Sequence, residues 1–124
     1  MNLDIHAHFI PAESLRAASE IGQGQGLELG KNERGRETVT RDGKPYLTEP
    51  KAEFSDLELR LSIMDSQGID MQLLSPASTY FFYWMEPNES LTYAQWLNDR
   101  LAEAVAKYPK RFVALGSAPL QEPV

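Results

Sequence analysis

The stretch from Ser55 to Pro76 constrains the fold most, because it spells a helix that stops and passes at once into a buried strand. Ser55 and Glu58 have the spacing of a capping box, and Leu57, Leu61 and Met64 fall on one helical face. Gly68 stands where a helix C-cap belongs, so a helix is expected over 56–67. Directly after the glycine, IDMQLLS (69–75) is short, largely apolar and bounded by Pro76, as a buried parallel strand should be. A helix feeding such a strand points to an α/β protein with a parallel sheet.

Units of the same kind lie on either side. In LDIHAHFI (3–10), Leu3, Ile5, Ala7 and Phe9 alternate strictly with Asp4, His6 and His8, which predicts a strand with one chemical face. Pro11 ends it, and Ala12 to Ile21 has the content of a short helix. Gly22, Gly24, Gly26 and Gly30 then break regularity, so a loop is expected. The G-Q-G-Q-G run at 22–26 neither follows a strand nor opens a helix, and reads as flexible rather than phosphate-cradling. Residues 38–48 surround Asp42-Gly43, a type I′ turn dipeptide, and predict a small hairpin that Pro45 confines to an edge. Ala94, Leu97, Leu101, Val105 and Tyr108 mark one face of a long second helix stopped by Pro109. Asp99, Arg100, Glu103, Lys107, Lys110 and Arg111 read as its solvated side and exit. A last strand is expected at Phe112–Gly116, followed by Pro119 and Pro123.

Three strands separated by helical segments read as successive βα units of a parallel sheet, expected to be the first three of a (β/α)8 TIM-barrel fold carrying a small hairpin insertion at about 22–53. Such a barrel needs eight strands and about 250 residues. The 124 residues therefore read as an incomplete barrel, whose open edges call for further chain or another subunit, and a homo-oligomer is expected.

The net charge of −6 and the lack of a basic patch exclude nonspecific binding to nucleic acid or to anionic membranes. The short apolar start is interrupted by Asp4, His6 and His8, so it is neither a secretory core nor a membrane span, and a cytoplasmic protein is the default. With no cysteine, any metal must be held by His, Asp or Glu. His6 and His8 are two apart on a strand, with Cα atoms about 6.8 Å apart, so both rings can reach one ion. They sit at the C-terminal end of the first strand, where parallel barrels build their active sites. Two ligands are insufficient for a catalytic zinc, and there is no third histidine. Asp4 is expected one step deeper, orienting a histidine or holding a backbone group. The aromatic run Tyr80–Trp84 serves either packing or a substrate pocket, with Trp84 the pocket candidate.

Taken together, LDIHAHFIP, RLSIMDSQGIDMQLLSP, FFYWMEPNESL and NDRLAEAVAKYPKRFVALGSAPLQEP resemble the decarboxylases related to aminocarboxymuconate semialdehyde decarboxylase, in the amidohydrolase superfamily. The resemblance spans nearly the whole chain, is weakest between Gly22 and Glu53, and makes 1–124 the N-terminal portion of an amidohydrolase-type barrel. It implies that His6 and His8 ligate a divalent metal, usually zinc, with further ligands and a proton-transfer histidine outside these residues. It also implies a small unsaturated or aromatic carboxylic acid as substrate, losing its carboxylate as CO₂ once the adjacent carbon is protonated. Hydrolysis of an amide or ester is the alternative chemistry, and a non-catalytic, self-associating remnant the alternative outside catalysis. The family's namesake has a substrate-binding arginine where Leu47 aligns here, and Arg41 lies on the other arm of the hairpin.

Overall fold

A computed structural model describes residues 1–121; Pro123 and Val124 lie outside the described residues. Strand β1 (Leu3–His8) is followed by helix α1 (Ser14–Ile21) and by strands β2 (Leu27–Lys31), β3 (Glu37–Arg41) and β4 (Lys44–Thr48). A single helical turn α2 (Ala52–Ser55) precedes α3 (Leu57–Gln67), β5 (Met71–Ser75), α4 (Pro87–Lys107) and β6 (Phe112–Ala114). Strands β1, β5 and β6 form a parallel sheet in that order, and β2, β3 and β4 a separate antiparallel one. The parallel α/β arrangement is the expected one.

Several local expectations are corrected. Residues 27–31 are a strand rather than loop, pairing with β3 from Leu27↔Arg41 to Lys31↔Glu37. The hairpin is thus the second half of a three-stranded meander. Its turn is as expected, with Asp42 at φ 51° and Gly43 at φ 76°, and β4 with Pro45 is an outer strand. Asp56, not the Ser55–Glu58 box, caps α3: its carboxylate accepts the Leu59 N–H at 3.1 Å, because Ser55 is taken up by α2. Gly68 ends α3 at φ 68°, in the left-handed region that glycine enters freely. The first and last strands are shorter than expected, ending at His8 and Ala114.

Two apolar clusters hold these elements. Under the parallel sheet, Ala7, Phe9, Met64, Leu74, Leu101, Ala104 and Phe112 pack together, with Leu57 and Leu61 partly buried against them. The second joins α1 and the antiparallel sheet to the aromatic segment through Leu15, Val39, Leu47, Phe82, Tyr93 and Leu97. Helix α4, whose 21 residues span about 32 Å, contributes to both. The aromatic run alternates between core and surface: Tyr80 and Phe82 are buried, with the Phe82 and Tyr93 rings meeting at 4.6 Å, whereas Tyr83 is exposed and Phe81 and Trp84 are half-buried. The exit of α4 is less solvated than its charges suggest. Arg111 donates to the Asp70 carbonyl at 2.8 Å and to the Asp65 carboxylate at 2.7 Å, clamping the turn before β5.

Candidate metal centre

His6 and His8 lie at the C-terminal end of β1, with ring centroids 5.1 Å apart and planes at 82°. His8 is level with Ser75, the last residue of β5, and its Nδ1 is 3.3 Å from the Ser75 hydroxyl. When that nitrogen carries the proton, the lone pair of Nε2 is left for a ligand. His6 is exposed and His8 half-buried, so both rings are accessible.

The strict alternation expected of β1 breaks just here. The register with β5 shifts between Asp4 and Ala7, although Asp4 is level with Gln72 and Ala7 with Leu74. Gln72 and Leu74 are both buried and share a face, so Asp4 and Ala7 do too despite being three apart. Asp4 is therefore on the helix side of the sheet, not beside the imidazoles. Its carboxylate accepts the backbone N–H of His6 at 3.0 Å and the Gln72 side-chain amide at 2.9 Å. It holds a backbone group, one of the two roles expected of it, and orients neither ring. Upstream, Leu3 and Ile5 are exposed rather than core.

Two residues that pattern reading passed over complete this scaffold. Arg60 of α3 is buried and donates to the Gln72 side-chain carbonyl at 3.1 Å, to the His8 carbonyl at 2.7 Å and to the Phe54 carbonyl at 3.4 Å. Burial draws its pKa below the ordinary guanidinium value, and the Asp4 charge opposes that. The signals were available: Arg60 interrupts the apolar stripe of Leu57, Leu61 and Met64, and Gln72 is the polar residue inside an otherwise apolar strand centre.

Two imidazoles on one face of a strand end, 5.1 Å apart, suit a divalent cation that accepts nitrogen ligands. They are two donors, and no group of three or more metal-binding side chains occurs among the described residues. Trp84 is in a different setting. The Arg41 guanidinium stacks 3.6 Å from its ring centroid, its indole N–H donates to the Tyr46 hydroxyl at 3.0 Å, and Phe82 lies edge-on at 6.1 Å. Leu47 is a buried core residue opposite Val39.

This fold recurs in solved proteins of a recognisable class, the TIM barrels of the amidohydrolase superfamily. One is the 5-carboxyvanillate decarboxylase of Novosphingobium aromaticivorans, complexed with manganese and 4-hydroxy-3-methoxy-5-nitrobenzoic acid. It superposes with a TM-score of 0.63 at 25% identity over 95% of this chain and 34% of its own. Among curated proteins, the 2-amino-3-carboxymuconate-6-semialdehyde decarboxylase of Dictyostelium discoideum is 31% identical over 98% of this chain and 33% of its own length. The gamma-resorcylate decarboxylase of Rhizobium sp. is 36% identical over 53% of this chain and 20% of its own. No family model matches the chain. The chain is homologous to curated aminocarboxymuconate semialdehyde and gamma-resorcylate decarboxylases, and its structural neighbours are decarboxylases of the amidohydrolase superfamily. It spans about a third of the length of the first of these relatives.

Proposed function

We propose that residues 1–124 are the first three βα units of an amidohydrolase-type barrel, with the segment of about 22–53 inserted as its antiparallel sheet, and that His6 and His8 supply two ligands of its divalent metal. The protein to which these units belong would be a decarboxylase of a small unsaturated or aromatic carboxylic acid. The observation that carries this reading is the pair of imidazoles 5.1 Å apart at the C-terminal end of β1, in a chain that matches decarboxylases along nearly its whole length.

Zinc is the favoured ion, because neutral imidazole suits it well, while the manganese of the carboxyvanillate enzyme makes a direct comparison of the two worthwhile. A bound divalent ion would polarise substrate oxygens and lower the pKa of water toward neutrality. The chain's own part is to present two imidazoles at a strand end, with the His8 ring oriented by Ser75. Trp84 would supply a flat apolar wall for the substrate, with Arg41 stacked on its ring. A cytoplasmic setting is part of this reading; no helix among the described residues is long and apolar enough to cross a membrane.

The test is incubation of the zinc- or manganese-loaded protein with a panel of hydroxybenzoates and unsaturated dicarboxylates, following CO₂ release. Metal-dependent CO₂ release, lost in His6→Ala and His8→Ala, supports the reading. Cleavage of amide or ester substrates without CO₂ release replaces it with hydrolysis. A second reading, self-association, is favoured by Leu3 and Ile5 on one outer strand and Val113 and Leu115 at the other, which are 50%, 71%, 39% and 55% exposed. A homo-oligomer would cover them, and sedimentation decides whether the chain forms one.

A further inference from the structure

A closed run of side-chain bonds starts on the backbone of one histidine and ends on the backbone of the other. The His6 N–H donates to Asp4, Asp4 accepts from the Gln72 amide, the Gln72 carbonyl accepts from Arg60, and Arg60 donates to the His8 carbonyl. Three elements take part: β1 through Asp4, β5 through Gln72 and α3 through Arg60. The run crosses the place where the β1–β5 register shifts, so Asp4 supplies an acceptor for His6 where the ladder is irregular. Just beyond it, Phe9 donates to the Ser75 carbonyl at 3.0 Å and Ile10 to the Phe54 carbonyl at 2.9 Å. Arg60 also reaches that Phe54 carbonyl. The backbone from His6 to Ile10 is thereby tied to the rest of the domain at each end of the histidine pair.

Burial makes this arrangement stringent. Arg60 is 7% and Gln72 8% exposed, so neither side chain can turn to water when a partner is lost. A guanidinium is rarely buried without a direct carboxylate. Here it is spent on two backbone carbonyls, those of His8 and Phe54, and on the Gln72 amide, with the Asp4 carboxylate next in the run and the His6 N–H at its far end.

We propose that Asp4, Gln72 and Arg60 are positioning residues for the histidine pair, holding the His6 and His8 backbones at a fixed separation so that the two rings are set before a metal arrives. The value of this arrangement for metal affinity rests on the reading of His6 and His8 as ligands; the fixed separation itself does not. Arg60→Lys keeps the charge but cannot serve Gln72 and His8 in one planar fork, and Gln72→Met keeps the volume while removing both links.

The experiment is zinc titration of the protein and of these variants by calorimetry, together with NMR of its metal-free form, reading cross-relaxation between the His6 and His8 rings and the exchange rate of the His6 amide. In folded Arg60→Lys and Gln72→Met, zinc affinity is expected to fall about tenfold or more. The ring–ring cross-peaks should weaken, and the His6 amide should exchange faster. Leu101→Ala, destabilised in the same core away from the run, should leave all three unchanged. If a buried variant fails to fold, Asp4→Asn, of equal size, decides by the same readouts. Wild-type cross-peaks and wild-type affinity in the folded variants would overturn the proposal. Equal zinc binding by wild type and His6→Ala would sink the metal reading instead, and the metal-free spectra would still decide the positioning role.

Discussion

Replacing Leu74 by alanine tests which face of the parallel sheet carries the core. Leu74 is fully buried as the penultimate residue of β5, in the cluster with Ala7, Met64, Leu101 and Phe112, and its neighbour Ser75 pairs with His8. The change removes three carbons, about 2.4 kcal/mol at ~0.8 kcal/mol per buried methylene. The cavity left between two helices and the sheet adds to this, and core leucine truncations cost about 2–5 kcal/mol. A loss of about 3 kcal/mol is expected. With a urea slope of about 1–3 kcal/mol per molar, the midpoint should fall by about 1–3 M with the slope unchanged. Leu73, one residue earlier, is only half-buried on the opposite face, and Leu73→Ala should cost less than about 1.5 kcal/mol. Urea unfolding of the 124-residue chain, followed by circular dichroism, measures both. A Leu73→Ala loss equal to or larger than that of Leu74→Ala would refute the assignment of faces, and with it the side of the sheet on which His8 is placed.

Other outcomes follow from single contacts. Gly68→Ala should cost about 1–2 kcal/mol in thermal melts, since the position is left-handed and an added Cβ meets nothing within 4 Å; a neutral result would show that the turn relaxes. Asp56→Ala should cost about 1 kcal/mol, whereas Ser55→Ala should be nearly silent; the reverse order would restore the Ser55–Glu58 cap. Burial pushes the Tyr80 phenol up to about 12, above its ordinary 10. The folded state thus binds that proton more tightly, so its stabilising effect is complete below pH 10 and is lost as pH rises from 10 toward 12. Denaturant midpoints should fall over that window, and less steeply in Tyr80→Phe; identical slopes in both would remove Tyr80 as the cause. Arg41→Met should change the Trp84 fluorescence, and an unchanged spectrum would deny the stacked guanidinium.

The parallel sheet was legible because its signals are local. The Leu57, Leu61 and Met64 stripe, Gly68 and the apolar run after it are all read within some twenty residues, and α3 and β5 form there. Strand β2 was not, because Glu28, Leu29, Gly30 and Lys31 are all exposed and only Leu27 is buried, so no alternation marks it. It exists by pairing with β3, and register between strands is not written in either strand alone. The cap of α3 moved by one residue because α2 claimed Ser55. The adjacency of the histidines follows from an H-x-H on a strand, but the shift in register behind them does not. It depends on Asp4 meeting Gln72, a contact 68 residues away in sequence. Arg60 and Gln72 carried a signal of another kind, polar residues at positions that periodicity reserves for the core, which becomes informative only when their partners are known.

The most direct test of the metal reading is the metal content of the protein carrying these residues, purified after loading with zinc and measured by mass spectrometry beside His6→Ala and His8→Ala. About one equivalent in the wild type, falling to near zero in both variants while their circular dichroism stays native, is the expected result. Undiminished metal in the two folded variants would place the ion elsewhere and contradict the role assigned to His6 and His8.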